Sequence, residues 1–138
     1  MCLLTKQICP IKAKKPIVVY KVLFEHKYCS SDKKFVTPWI HERTELNRLL
    51  VASGEKVVVR SGIKNYRAVG PGYIHCYTKI EDAKLTRKYF IQKLFMRMVV
   101  KTVIAKCIIE PGTRYYKSWD GKEIAADAVF IKRILRDF

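Results

Sequence analysis

The stretch GPGYIHCYTKIEDAK, residues 70–84, passes from the two-residue repeat of a strand to the pattern of a helix, and so indicates the class of fold. Gly-Pro-Gly at 70–72 predicts a turn. Residues 73–77 then alternate, and we expect Ile74 and Cys76 to point toward the core. The opposite face of this predicted strand carries three ring side chains, those of Tyr73, His75 and Tyr77.

The next residues predict a helix from about 79 to 97. Thr78 and Glu81 have the T-x-x-E spacing of a capping box, in which each side chain bonds an orphan backbone N–H at the helix start. Apolar residues then recur at helical spacing. The buried stripe would consist of Ile80, Ala83, Phe90 and Leu94.

Other segments predict a second helix and several strands. Thr37-Pro38 is typical of a helix start and Gly54 of a helix end, which predicts a helix over about 38–52. Runs of β-branched and aromatic residues predict strands over 16–24, 56–60, 66–69, 99–109 and 128–138. The length of the last run would also permit a helix. The order of elements predicts an α+β fold with a curved, mixed or antiparallel sheet and two helices.

The chain shows no internal repeat and no linker that would divide it. Its 138 residues suffice for one compact domain with a real core. Residues 1–15 are basic and irregular, which predicts a mobile N-terminal arm, and residues 16–138 would form the single α+β domain.

The net charge favours acidic partners. Lys and Arg number 28 against 12 Asp and Glu, which gives +16, while a hydrophobic fraction of 49% excludes a disordered chain. Such a charge favours nucleic acid first and acidic proteins second. A basic surface that serves only solubility is the alternative.

Cysteine usage and hydropathy predict a soluble cytoplasmic protein with no membrane partner. The five cysteines form no C-x-x-C pair, which favours reduced thiols over a disulfide framework. The N-terminal run is a poor signal peptide, and no apolar stretch is long enough to span a bilayer. The oligomeric state is open.

A nucleic-acid face is predicted on the basic helix, through Lys84, Arg87 and Lys88, together with Arg67. The arm over 6–15 could join it through four lysines, and so could four further cations elsewhere. The arm lysines are Lys6, Lys12, Lys14 and Lys15, and the other cations are Lys33, Lys34, Arg60 and Lys64. Five tyrosines could stack on bases, namely Tyr66, Tyr73, Tyr77, Tyr115 and Tyr116. Cross-strand packing pairs are the alternative role for these rings.

A candidate pocket is predicted beside the strand at 70–78. His75 and Tyr77 would face it, with Arg67, Tyr115 and Tyr116 at its border. A histidine there could act as an acid, a base or a donor, or it could be an ordinary half-exposed strand residue. No phosphate-binding loop, dinucleotide fingerprint, nucleophile elbow or metal-ligand spacing occurs, so we assign no catalytic residue, metal or cofactor.

Four segments resemble small proteins of gut bacteria and of their phages or mobile elements. The segments are VYKVLF (19–24), GYIHCYTKIEDAK (72–84), VIAKCIIEPGTRYY (103–116) and AADAVFIKRI (125–134). The resemblance implies a common fold, and it implies no activity.

The same order of parts is similar, more remotely, to the ADP-ribosyltransferase-like fold. In that fold an early strand carries an arginine and the last strand a catalytic glutamate. Lys21 stands at the arginine's place here, and the only acids near the last strand are Glu123 and Asp127. The resemblance therefore implies a diverged enzyme or a pseudoenzyme with a groove near His75.

Our first expectation is a non-catalytic binding protein for nucleic acid or another acidic macromolecule, related to phages or mobile elements. The diverged transferase is one alternative. A protein–protein interaction or inhibitor module is the other.

Overall fold

Strands dominate the part of the chain that the computed structural model describes, which is residues 3–26, 35–37, 43–62, 65–70, 72–92 and 100–136. In chain order the elements are β1 (Leu3–Thr5), β2 (Ile11–Lys12), β3 (Ile17–His26), β4 (Phe35–Val36), β5 (Arg43–Thr44), β6 (Leu49–Val51), β7 (Val58–Arg60), β8 (Arg67–Val69), β9 (Ile74–Tyr77), α1 (Ile80–Ile91), β10 (Val100–Ile109), β11 (Arg114–Lys117), β12 (Glu123–Ala126) and β13 (Ala128–Leu135).

The two longest strands, β3 and β10, form the spine of the larger sheet. They pair antiparallel over ten residues each, from Ile17 opposite Ile109 to His26 opposite Val100. Both are rich in valine and isoleucine, whose branched side chains fit a pleated surface. The strand order in this sheet is β2-β11-β12-β9-β3-β10-β13-β6, and a smaller sheet has the order β1-β8-β7.

Alternation along the strands gives the larger sheet two faces with different partners. The inner face carries the main core cluster, which extends from Ala13 beside β2 to Leu50 in β6. The outer face is covered at two places. Helix α1 packs Ala83 and Phe90 on β3 and β10, and the smaller sheet packs Leu3 and Val69 over Tyr116 and Ala125.

The expected fold class is met in its coarse form. The strand pairs among the described residues are all antiparallel. Strands occur where the sequence predicted them within 16–24, 56–60, 66–69, 73–77, 99–109 and 128–138. The described residues, however, contain one helix rather than two and are mostly sheet. That residues 16–138 form one domain stays a prediction.

Helix α1 confirms the predicted element between residues 80 and 91, and residues 93–97 lie outside the described part of the chain. The predicted capping box is wrong. Lys79 rather than Thr78 is the N-cap residue, and no side-chain bond caps the helix start. The Thr78 hydroxyl donates to the Gly121 carbonyl at 2.8 Å, so it is hydrogen-bonded to the turn between β11 and β12.

The predicted helix over 38–52 is wrong wherever the structure describes it, at residues 43–52. Strands β5 and β6 occupy this segment, with a turn between them in which Asn47 has a φ of 60°. A left-handed residue interrupts a helix. Leu50 is buried while Leu49 and Val51 are exposed, so the leucines follow the two-residue period of an edge strand. Residues 38–42 lie outside the described residues.

The sequence predicted a mobile arm over 1–15, but the described residues 3–15 contain two strands, one paired with each sheet. Strand β1 pairs with β8, and Leu3 and Thr5 are buried. The Thr5 hydroxyl donates to the Lys117 carbonyl at 2.6 Å, and β2 pairs with β11. The segment therefore joins the smaller sheet to the larger one.

Gly72, in the turn before β9, allows a close backbone approach. Its φ is +89°, and a Cβ atom there would lie no more than 2.7 Å from backbone atoms of Glu55 and Lys56. We predict that Gly72→Ala lowers the free energy of unfolding by about 2–4 kcal/mol, because a left-handed alanine and a backbone clash both cost energy. Urea unfolding measures the change.

Gly54→Ala is the matched control for this prediction. Gly54 has a similar φ of +85°, but nothing lies within 4 Å of its added Cβ. The Gly54→Ala variant should therefore lose only the free energy that a left-handed alanine costs, about 1 kcal/mol. Equal losses for the two variants would show that the close approach at Gly72 has no energetic importance.

Candidate nucleic-acid interface

A basic cleft of about 520 Å³ lies between the chain that follows β1 and the hairpin formed by β7 and β8. No acidic side chain belongs to its described lining. The lining residues are Lys6, Ile8, Arg60, Ser61, Asn65, Tyr66 and Arg67. We call this surface the basic cleft.

Two arginines face each other across the hairpin. Arg60 and Arg67 are direct Cα partners in the β7–β8 register, so their side chains leave the same face of the smaller sheet. No ion pair joins either one to a described residue. Like charges in directly opposed positions destabilise a sheet, and an anion placed between them removes that cost.

The position of Arg67 is fixed by the N-terminal segment. Its Nη1 donates to the Ile8 carbonyl at 3.0 Å, and Thr5 of β1 is its partner on the other side of β8. The remaining N–H groups of its guanidinium are available to the cleft, because this bond uses only one nitrogen. Arg67 is therefore a positioned cation.

Lys6 and Tyr66 supply a third cation and an aromatic ring. The Lys6 ammonium lies 5.5 Å from the centroid of the Tyr66 ring, within the range of a cation–π contact. The Ser61 amide donates to the Tyr66 carbonyl at 3.1 Å, which closes the hairpin end where Asn65 takes a φ of 64°. Chemically, the basic cleft can bind an anion beside a flat ring.

The other predicted members of the nucleic-acid face lie away from this cleft. Lys84, Arg87 and Lys88 are on α1, and none of them belongs to the lining of the basic cleft. Arg87 is half-buried, and its Nε donates to the Thr102 carbonyl at 3.0 Å. The described cleft thus takes in one of the four predicted residues, Arg67.

The predicted pocket residues are brought together only in part. His75, Ala125 and Tyr116 are successive cross-strand partners, so His75 and Tyr116 share the outer face of the sheet with Tyr77. Tyr115 must point to the inner face, since neighbouring residues of a strand alternate. The Tyr77 hydroxyl accepts a bond from Thr86 at 2.7 Å, and Tyr116 packs edge-on against Tyr73 at 5.6 Å.

His75 is held as a neutral ring. Its Nε2 lies 3.0 Å from the Gly70 carbonyl, to which it donates, and its buried Nδ1 has no partner among the described residues. Burial, reinforced by the charge of Lys21, lowers the pKa of His75 to about 4. His75 does not line the basic cleft, although Gly70 directly follows β8.

Two thiols and one ammonium lie close together on the inner face. Burial raises the pKa of Cys76 to about 11 and that of Cys107 well above its usual value, so both are neutral thiols, as expected for core cysteines. Lys21 is only 8% exposed, and its ammonium donates to the His75 carbonyl at 2.9 Å. That bond satisfies the carbonyl at the place where β9 and β3 make only one pairing contact.

The two acids near the last strand, Glu123 and Asp127, both have partners in the structure. Asp127 forms an ion pair with Lys56, and Glu123 is the cross-strand partner of Tyr77. Burial raises the pKa of Glu123, with the nearby acids Asp120 and Asp82 adding to the effect. The likeness to the ADP-ribosyltransferase-like fold stays a prediction.

Comparison of the chain with protein-family models, with curated proteins and with solved structures found no match. The site must therefore be interpreted from its own geometry. Within the described ranges, no helix has both the length and the apolar character needed to cross a membrane.

All the charged residues in the described lining of the basic cleft are among the predicted cations, but the sequence does not group them. Lys6, Arg60 and Arg67 were three of many cations, and Tyr66 was one of five candidate rings. The signal that could have grouped them is the turn-rich SGIKN between two short strands, since a hairpin brings Arg60 opposite Arg67. Ser61 and Asn65 were missed as lining residues.

The lowered pKa of His75 predicts a dependence of stability on pH. The unfolded histidine has a pKa of about 6.5, so folding favours the neutral ring; the contribution is complete above that pH and is lost as the pH falls toward about 4. Between pH 7.5 and pH 5 we expect a loss of about 2 kcal/mol relative to His75→Gln, which has no ring to protonate.

Urea unfolding of both proteins across this pH range measures the difference, and other titrating groups cancel in the comparison. Parallel curves would contradict the prediction. Imidazole ¹⁵N spectra give an independent check, because the ring should keep its proton on Nε2 at neutral pH.

Proposed function

We propose that this protein binds nucleic acid through the basic cleft, with the phosphate backbone held by Arg60 and Arg67. The observation that carries the proposal is the direct opposition of these two arginines without a described acidic partner. A phosphodiester between them would accept bonds from both guanidinium groups, whose planar donors match phosphate oxygens.

The wider charge supports a long anion rather than a single small one. A net charge of +16 attracts a polyanion at long range and speeds its association. Lys6 extends the positive surface along the cleft, with its ammonium over the face of the Tyr66 ring. Successive phosphates of one strand can therefore meet Lys6 as well as the two arginines.

Tyr66 favours a single strand over a duplex. A base in a duplex has both faces stacked, whereas an unpaired base can lie against an aromatic side chain. The volume of about 520 Å³ falls within the range of roughly 300–1,000 Å³ typical of ligand sites, which suits a nucleotide unit. We therefore expect a preference for single-stranded DNA or RNA with little sequence selectivity.

None of the described residues favours the enzyme alternative as strongly. The two core thiols are neutral, His75 is neutral with its donor engaged, and Lys21 is buried with a backbone partner. The protein-interaction alternative shares the same cations, and the binding experiment separates it from nucleic acid.

The test is the salt dependence of binding to a labelled oligonucleotide. We predict that Arg60→Gln with Arg67→Gln weakens binding about tenfold or more and lowers the log–log salt slope by about 1.4, which is 0.7 for each lost single-strand phosphate contact. Fluorescence anisotropy over a salt series, with single-stranded and duplex forms of one sequence, measures both quantities.

Two controls make this result specific. Lys12→Gln with Arg114→Gln also removes two exposed cations that face each other across a strand pair, but on β2 and β11 outside the cleft. It should leave the slope unchanged. Lys84→Gln with Lys88→Gln tests the helix face that the sequence predicted, and an effect confined to this variant would move the interface to α1.

Stability provides a second and opposite prediction. Arg60→Gln alone keeps the Arg67 bond to Ile8 but removes the opposed charge, so we expect the free energy of unfolding to rise by up to about 1 kcal/mol while affinity falls. A gain in stability with a loss of binding is the signature of a functional site. A loss of both would indicate a structural role for Arg60.

A further inference from the structure

A second groove, of about 440 Å³, lies between the turn at residues 45–48 and the end of the last strand, β13. It differs from the basic cleft because its lining is divided between apolar and charged groups. The apolar lining consists of Phe35, Leu46 and Ile134, and the charged lining of Glu45, Lys132, Arg133 and Arg136. We call it the β13 groove.

A bulge in β13 creates this lining. Lys106 of β10 pairs with Arg133 while the next residue, Cys107, pairs with Ile131, so Lys132 is an extra residue in the last strand. Consecutive side chains of a regular strand leave opposite faces, yet Lys132, Arg133 and Ile134 all line one groove. Bulges redirect side chains in this way and are common beside functional sites.

The turn at residues 45–48 forms the opposite wall of the groove, and it is hydrogen-bonded to Ile131 beside the bulge. The Asn47 amide donates to the Ile131 carbonyl at 2.8 Å, and the Ile131 amide donates to the Arg48 carbonyl at 2.9 Å. These two bonds hold the turn that carries Leu46 against the strand. Leu46 is 43% exposed, and it lines the groove together with the core residue Phe35.

The charges of the groove are only partly compensated. Arg136 forms a bidentate pair with Glu25, with both N–O distances at 2.6 Å, and Glu45 pairs with Arg48. The side chains of Lys132 and Arg133 make no ion pair or hydrogen bond with any described residue. Two adjacent cations thus border an apolar floor.

We propose that the β13 groove binds a small amphiphilic carboxylate, with its carboxylate group between Lys132 and Arg133 and its hydrocarbon part against Leu46, Ile134 and Phe35. A carboxylate accepts charge-assisted bonds from both cations. The hydrocarbon part covers the exposed face of Leu46, which a polynucleotide would leave in water. The volume of the groove lies within the usual range of ligand sites, roughly 300–1,000 Å³.

Octanoate is the probe, with 1-octanol and acetate as matched controls that lack the charge and the chain respectively. Methyl NMR spectra of the full chain report binding at Leu46 and Ile134. We expect octanoate to shift both methyl signals in a saturable way, 1-octanol to bind about tenfold more weakly, and acetate to give no shift. Absence of saturable octanoate shifts, or equal binding of 1-octanol, overturns the proposal.

Variants locate the site. Lys132→Gln with Arg133→Gln should weaken octanoate binding about tenfold, and Leu46→Asn about fivefold, because each removes one half of the recognition. Lys12→Gln with Arg114→Gln, at the far edge of the sheet, should change nothing. Loss of octanoate binding in Arg60→Gln with Arg67→Gln, with no loss in the β13 variants, would place the ligand in the basic cleft and overturn the proposal.

Discussion

The ten-residue pairing of β3 with β10 is the constraint on which the other elements depend. It fixes the alternation of both strands at once, so Val19 and Cys107 face the inner core while Phe24 and Thr102 face outward. Every other element of the larger sheet takes its place from this pair: β9 through the Tyr20–Tyr77 contact, and β13 through its register with β10. The same alternation positions helix α1, because Phe90 of the helix packs edge-on against Phe24 of β3, with the ring centroids 5.0 Å apart.

The two candidate sites stand at opposite ends of this framework and use different devices. The basic cleft belongs to the smaller sheet, which is joined to the larger one by the bond from Thr5 to the Lys117 carbonyl and by the bond from the Trp119 amide to the Leu4 carbonyl. Its character comes from a regular register that opposes like charges. The β13 groove comes from an irregular register, since the extra residue Lys132 breaks the alternation. The regular register of β7 and β8 places Arg60 and Arg67 on one surface, and the bulge in β13 places Lys132 and Arg133 on another.

Local patterns in the sequence were sufficient for the long strands and for α1, because burial there follows the intrinsic period of the element. They failed where tertiary partners changed the outcome. Thr37 and Pro38 are typical of a helix start and Gly54 of a helix end, but the leucines between them belong to an edge strand that pairs with β13. Thr78 has the correct spacing to cap α1, yet the carbonyl of Gly121, distant in sequence, takes its hydroxyl. The cleft was hidden for the same reason, since only the pairing of β7 with β8 makes neighbours of Arg60 and Arg67.

The incorporation of β1 and β2 has a consequence for the order in which the protein acquires its structure during synthesis. Leu3 and Thr5 pair with Val69 and Arg67, and Thr5 bonds to Lys117, all of which are synthesised much later than β1. The spine imposes the same delay, because β3 finds its partner only after Val100–Ile109 have emerged. Long-range pairing of this kind is intrinsically slow, since loop-closure entropy must be overcome before the contacts reward it. During synthesis β1 therefore has no strand partner until β8 has been made, and β3 lacks the partner β10 for longer still.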